Sequence, residues 1–131
     1  MRNVEIKKDI YWVGSLDPKL RVFDIIMYTP YGTTYNSYIV KGSEKVALFE
    51  TVKEKCFDEY LKTLETLDIT PDQIDYIVVD HTEPDHAGSV GKILKLAPHA
   101  KVVGSMQAIS YLKEIINEDF DHIIVKDGDT I

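Results

Sequence analysis

The sequence predicts an α/β domain, strand-rich in its first third and alternating strand with helix thereafter. Before residue 53 apolar and polar residues alternate with a period of two, with many aromatic and β-branched side chains. From Lys53 the apolar residues recur at three and four. After Thr70-Pro71-Asp72, short β-branched runs alternate with segments of helical period.

DIYWVGSL, RVFDIIMYTP, TTYNSYIVKG and KVALFETV read as successive strands. KGSEK, Lys41 to Lys45, places Gly and Ser between two such runs and predicts a tight antiparallel hairpin, and Tyr31-Gly32 marks another turn. Cys56, Phe57, Tyr60, Leu61, Leu64 and Leu67 form one apolar helix face. Strand IDYIVV and a helix from about Ser89 follow, then strand KVVGS with helix MQAISYLKEII, then strand HIIVKDG. Strands separated by helices imply right-handed crossovers and a parallel or mixed sheet with helices over a face. The last residues, a Gly-Asp turn followed by Thr130 and Ile131, read as the opening of another hairpin. Residues 1–131 are therefore expected to be the N-terminal part of a longer protein.

Composition narrows the function classes. With 44% hydrophobic and 28% charged residues the chain has ordinary globular proportions. A net charge of −7 argues against nucleic acid or an anionic membrane surface as partner, because both require clustered Lys and Arg. The single cysteine, Cys56, excludes an internal disulfide, and MRNVEIKKDIYW has no apolar core of a secretion signal, so the expected location is cytoplasmic. No apolar run is long enough to span a bilayer.

The chemistry concentrates in HTEPDHAGS, His81 to Ser89, directly after the apolar run YIVV. Asp80, Glu83 and Asp85 repel one another unless a cation or proton intervenes. Loops at the C-terminal ends of sheet strands are where open α/β folds bind ligands. In an extended loop alternate residues point the same way, so His81, Glu83 and Asp85 would share one side and His86 would turn toward a second centre. Pro84 would stiffen the loop midway, Ala87 and Gly88 would leave space, and Ser89 would cap the next helix. Two metals fit this order of donors better than one. The competing reading is a solvated charged loop, which four potential ligands in six positions disfavour.

The stretch VVDHTEPDHAGS resembles the metal motif of the metallo-β-lactamase superfamily, and within it the flavodiiron proteins, or A-type flavoproteins. DIYWVG, GTTYNSYIV and LFETV are similar to the flavodiiron N-terminal region in the same order, so the resemblance spans essentially the whole chain. Most hydrolases of the superfamily carry His in place of Glu83. An anionic oxygen there hardens the site and shifts preference from zinc towards iron. The resemblance implies a four-layer αββα sandwich with a dinuclear non-haem iron centre, His81 and Glu83 on one iron and Asp85 and His86 on the other. In some members the histidine matching His86 turns away from the metal. It further implies an oxidoreductase that reduces dioxygen to water or nitric oxide to nitrous oxide. FMN on a separate flavodoxin-like domain, a rubredoxin-like electron donor and a homodimer complete the family pattern. Two further histidines and a bridging aspartate of the family lie beyond Ile131. Glu50 stands where the superfamily more often has Asp, at a strand end close to the metals, and the resemblance implies a tolerated longer carboxylate there. The alternatives are a metal-dependent hydrolase of the same superfamily and a fragment that is non-catalytic by itself.

Other candidates have simpler readings. His99 and His122 sit at the start of strands, and Cys56 reads as a buried structural thiol. Tyr31, Tyr35 and Tyr38 alternate as one sheet face would. Gly14, Gly32 and Gly104 make no Gly-rich phosphate loop, so no flavin site is expected in these residues. Asp24, within an apolar run, has either a pocket role or an exposed edge position.

Overall fold

A computed structural model describes residues 3–131. A seven-stranded sheet dominates it, in the order β1-β2-β7-β8-β9-β10-β11. These strands are β1 (Val4–Lys7), β2 (Ile10–Trp12), β7 (Tyr38–Lys41), β8 (Val46–Phe49), β9 (Tyr76–Val78), β10 (Lys101–Gly104) and β11 (His122–Ile124). The first four run antiparallel to their neighbours, whereas β8-β9, β9-β10 and β10-β11 are parallel. Two small ribbons complete the strands: β3 (Ser15–Asp17) with β6 (Thr33–Tyr35), and β4 (Val22–Phe23) with β5 (Met27–Tyr28).

The expected hairpin at KGSEK joins β7 to β8, with Lys41 opposite Val46 and the Gly42 amide bonded to the Lys45 carbonyl. Each later parallel connection carries a helix: α1 (Phe57–Glu65) after a 3-10 turn at Glu54–Cys56, α2 (Pro84–Ala87) and α3 (Val90–Leu96), then α4 (Met106–Ile116). Because β8, β9, β10 and β11 step across the sheet in one direction, right-handed crossovers put these helices on one face. Register aligns Ile39, Leu48, Ile77 and Val102 as a row across four strands, and all four are fully buried. Removing such side chains from water stabilises by roughly 2 kcal/mol each. Phe57, Tyr60 and Leu64 of α1 pack into the same core, as the apolar face predicts, and Ile93, Ile109 and Leu112 of the later helices join it. Helix α4 coincides with MQAISYLKEII: the Ser105 hydroxyl accepts the Ala108 amide at its start, and Asn117 ends it in the left-handed region at φ 55°.

The early strands depart from the expectation in an instructive way. DIYWVGSL is two strands in different sheets, parting at Val13 and Gly14, and TTYNSYIVKG likewise divides between β6 and β7. Apolar alternation continues through both breaks, so period alone does not reveal them. RVFDIIMYTP is a two-stranded ribbon with its turn at Asp24–Ile26, where Asp24 and Ile25 both have positive φ. Asp24 is exposed in that turn, the plainer of its two readings. The tyrosines do not share a face: Tyr35 is buried in a ribbon, Tyr38 lies in the main sheet and Tyr31 is exposed. Strand β1 lies outside the expected runs: Val4 and Ile6 alternate with Glu5 and Lys7, but none of the four residues is buried. Leu67 lies in the turn after α1 rather than on the helix.

Candidate metal centre

Adjacent parallel strands bring their C-terminal ends side by side, which places Glu50, just past β8, beside the loop that follows β9. The Glu50 amide bonds the Val78 carbonyl at 2.8 Å and continues the ladder. The chain then turns sharply at Glu50, whose φ is 61°. Its buried side chain is directed across to the neighbouring loop, where Oε1 accepts the backbone amides of Asp80 and, at 3.3 Å, His81.

Thr51 holds the other end of that loop. Its amide and hydroxyl both donate to the His86 carbonyl, at 2.8 and 2.5 Å, while the Thr51 oxygen receives the Ser89 amide at 3.3 Å. The loop between is not extended. Pro84 begins α2 at a helical position that needs no amide donor, so Asp85 and His86 lie on a helical turn and the two-residue alternation expected for the donors fails. Ser89 precedes α3 but does not cap it; its hydroxyl donates to the Val52 carbonyl at 2.8 Å. Gly88 provides close approach rather than open space, since a Cβ there would strike the Pro84 carbonyl.

Within this frame the four expected donors stand as two pairs. His81 Nε2 is 3.6 Å from Glu83 Oε1, and His86 Nε2 is 3.1 Å from Asp85 Oδ2. The two imidazoles meet edge to face with centroids 4.9 Å apart. His81 and Glu83 are half exposed, and Asp85 and His86 are more enclosed. Ligand atoms about 2.1 Å from an ion lie about 3.0 Å apart at a right angle and about 3.4 Å at a tetrahedral one. The tighter pair falls within that span and the looser pair just outside it. Among the described residues no three His, Cys, Asp or Glu side chains converge as a ready-made cage. The arrangement chemically suits one cation per pair, with further ligands from elsewhere.

His86 Nδ1 and Glu50 Oε2 are 2.8 Å apart. Both atoms are buried, yet the contact is not aligned as a hydrogen bond, and among the described residues neither atom has another hydrogen-bond partner. Burial pushes the Glu50 carboxyl above its usual range; the Asp80 amide, His86 and the His81 amide oppose that rise, and the Asp80 charge adds to it. His81 also borders a cavity of about 180 Å³ lined by Asp80, Thr82, Ser105, Gln107, Ala108 and Tyr111.

The candidate loop stood out in the sequence, whereas the roles of Thr51 and Ser89 in holding it did not. Thr51 and Ser89 are fully buried polar residues whose partners lie more than thirty positions away. The available signal was the polar pair Glu50-Thr51 closing the apolar run VALF. His99 is exposed and His122 begins β11, as expected of residues at strand starts. Cys56 is partly buried against the core, and burial raises its thiol pKa above the usual value.

The chain is 46% identical over its whole length to the flavo-diiron protein FprA2 of Clostridium acetobutylicum, of which it spans 32%. It superposes with a TM-score of 0.91 on the rubredoxin oxygen:oxidoreductase of Desulfovibrio gigas, at 32% identity, covering 98% of this chain and 32% of that one. The flavodiiron protein of Giardia intestinalis gives the same TM-score at 29% identity, covering all of this chain and 32% of the other. The chain thus spans about a third of the length of these relatives, and it shares the metallo-β-lactamase-like fold of their matching domain. Residues 33–130 match the family model described as ODP family beta lactamase, and the chain belongs to that family.

Proposed function

We propose that this chain is the N-terminal part of a metallo-β-lactamase-like di-iron domain, in which His81 and Glu83 hold one iron and Asp85 and His86 the other. The remainder of that domain and a flavodoxin-like domain complete the protein. Its function is oxidoreduction: dioxygen to water, nitric oxide to nitrous oxide, or both, with electrons arriving through FMN from a rubredoxin-like donor. The protein is a cytoplasmic homodimer in this reading. Among the described residues no helix is long and apolar enough to cross a membrane.

The observation that carries the proposal is the pairing of donors. Each histidine has a carboxylate beside it, 3.6 Å away for His81–Glu83 and 3.1 Å for His86–Asp85, on a loop whose two ends are held by Glu50 and Thr51. Two carboxylates and two imidazoles make a harder, more anionic set than an all-histidine half-site, which suits iron. When bound, the iron supplies redox capacity and a Lewis-acidic site for a diatomic substrate. The chain's own residues supply charge balance and keep the pairs at fixed separation.

Metal content of the complete protein tests this. Two irons per chain, with uptake of dioxygen or nitric oxide driven by reduced rubredoxin, is the expected result. Zinc with ester or amide hydrolysis, and no gas uptake, would overturn it in favour of the hydrolase reading. Glu83→His is expected to raise zinc occupancy at the expense of iron.

A further inference from the structure

Ser15, in β3, is 4% exposed, and its Oγ is buried with no hydrogen-bond partner among the described residues. Buried hydroxyls are nearly always bonded, so an orphan marks a place where an acceptor is missing. The group it acts on is the thiol of Cys56, whose anionic form it favours, although the two make no aligned bond. A thiol sulfur is a weak acceptor and leaves the hydroxyl unsatisfied. We infer that Cys56 is a modification site for hydrogen peroxide and that the oxygen it gains is held by the Ser15 hydroxyl. In the step the sulfur attacks one peroxide oxygen, the O–O bond breaks and an S–O bond forms, while the thiol proton leaves on the other oxygen as water. Cys–SH and H2O2 thus give Cys–SOH and H2O, with two electrons passing from sulfur to peroxide.

Three further observations fit. Cys56 is only partly buried, which leaves it open to a molecule as small as peroxide. It occupies the N-cap position of α1 without its side chain serving as a cap, where the helix amides favour negative charge, and Lys55 acts in the same sense. Burial, Asp17 and Glu59 act the other way and keep the resting thiol protonated. Attack is therefore slower than at a thiol that rests as a thiolate, and what distinguishes the site is the lifetime of its product. A sulfenic oxygen accepts a hydrogen bond far better than sulfur does, and its anion better still. Finally, Cys56 is the only cysteine of residues 1–131, so no second thiol among them turns the sulfenic acid into a disulfide. Peroxide is the two-electron product of incomplete dioxygen reduction, so its source rests on the oxidoreductase reading above, whereas the site does not.

Treating this chain with a small excess of hydrogen peroxide in the presence of dimedone, which traps sulfenic acids, tests both halves by peptide mass spectrometry. A single adduct on Cys56 is expected, and none in Cys56→Ser. Adding dimedone after a delay instead measures how long the sulfenic acid survives. Ser15→Ala removes the hydroxyl without adding bulk and, because that hydroxyl has no partner, is expected to fold as well as the unsubstituted chain. Its sulfenic acid is expected to pass on to sulfinic acid roughly 3- to 10-fold faster, the worth of one hydrogen bond. Absence of the adduct on the folded chain, under conditions that label the same chain in urea, would overturn the site. Equal sulfenic lifetimes in Ser15→Ala and the unsubstituted chain would overturn the role given to Ser15. In the complete protein, reducing dioxygen with a limiting supply of electrons, the Cys56 adduct is expected without added peroxide and is expected to disappear with catalase. If this chain is labelled by added peroxide while the complete protein in turnover is not, dioxygen turnover is overturned as the source and the site stands.

Discussion

The Lys55 ammonium lies 2.5 Å from Oδ2 of Asp17, the same oxygen that accepts the Tyr35 phenol at 2.6 Å. This shared oxygen ties the β3–β6 ribbon to the 3-10 turn ahead of α1. Lys55 and Tyr35 together hold the Asp17 carboxyl below its ordinary range, against the opposing effect of burial. Burial and the Asp17 charge in turn push the Tyr35 phenol upward.

Asp17 therefore links stability to pH. A carboxyl whose folded-state pKa is depressed contributes stability above its unfolded value and loses it as pH falls through the folded value. The advantage of the unsubstituted protein over Asp17→Asn is expected to be full above about pH 5 and to vanish on acidification through the lowered folded-state value. Asp17→Ala strands a buried phenol and is expected to cost about 2 kcal/mol at neutral pH. Denaturant titrations across pH check both. A constant difference between the protein and Asp17→Asn down to strong acid would remove Asp17 from the account.

A second prediction concerns proton direction in the core. The Ser37 hydroxyl is 3.0 Å from both the Phe49 and Glu50 carbonyls and 2.7 Å from the Tyr60 hydroxyl. Carbonyls only accept, and Ser37 has one proton to give, so Tyr60 donates to Ser37. Tyr60→Phe then removes a donor but leaves the two carbonyls served, at about 1 kcal/mol. Ser37→Ala strands the buried phenol and takes a donor away from both carbonyls, at about 2–3 kcal/mol. Equal costs in thermal or urea unfolding would contradict this direction. Since one carbonyl belongs to Glu50, Ser37→Ala is also expected to loosen the backbone that aims its carboxylate.

Legibility from sequence varied for physical reasons that these residues illustrate. Helix α4 was readable to the residue because its signals are local: a Ser105 cap, an apolar face and Asn117 at the end. The parallel order of β8 to β11 followed from alternation with helices. The ribbons were not readable, because the strand breaks at Gly14 and at Asn36–Ser37 are set by where two sheets diverge, not by hydrophobic period. The candidate donors His81, Glu83, Asp85 and His86 stood out by composition. Their pairing did not, since Glu50 lies thirty residues upstream and meets the loop only through parallel strand pairing, so its contacts with the Asp80 and His81 amides are not readable from either stretch alone.

The β4–β5 turn offers a stabilising substitution. Ile25 is 93% exposed and has φ 71°, a conformation that β-branched residues avoid. With no burial to lose and strain to relieve, Ile25→Gly is expected to stabilise by about 1 kcal/mol. Loss of stability in denaturant unfolding would mean that the isoleucine makes contacts that offset its strain.

Two glycines on either side of Ser89 are expected to respond in opposite directions. At Gly88 an added methyl would run into the Pro84 carbonyl and lie 3.1 Å from the Glu54 amide nitrogen and 3.2 Å from the Val52 carbonyl. All three are backbone atoms that cannot swing aside. Gly88→Ala is expected to cost about 1–3 kcal/mol and to shift α2, the segment that carries Asp85 and His86, so that metal affinity falls with stability. At Gly91, inside α3, the nearest atoms to an added methyl are Ile116 side-chain carbons at 3.7 Å, an ordinary contact. Gly91→Ala is expected to stabilise by about 0.5–1 kcal/mol through the lower entropy of the unfolded chain, with metal affinity unchanged. Chemical denaturation and Fe(II) titration of both variants separate the two effects. A Gly88→Ala protein that matched the unsubstituted one in both measurements would show that α2 can move outward without disturbing its donors.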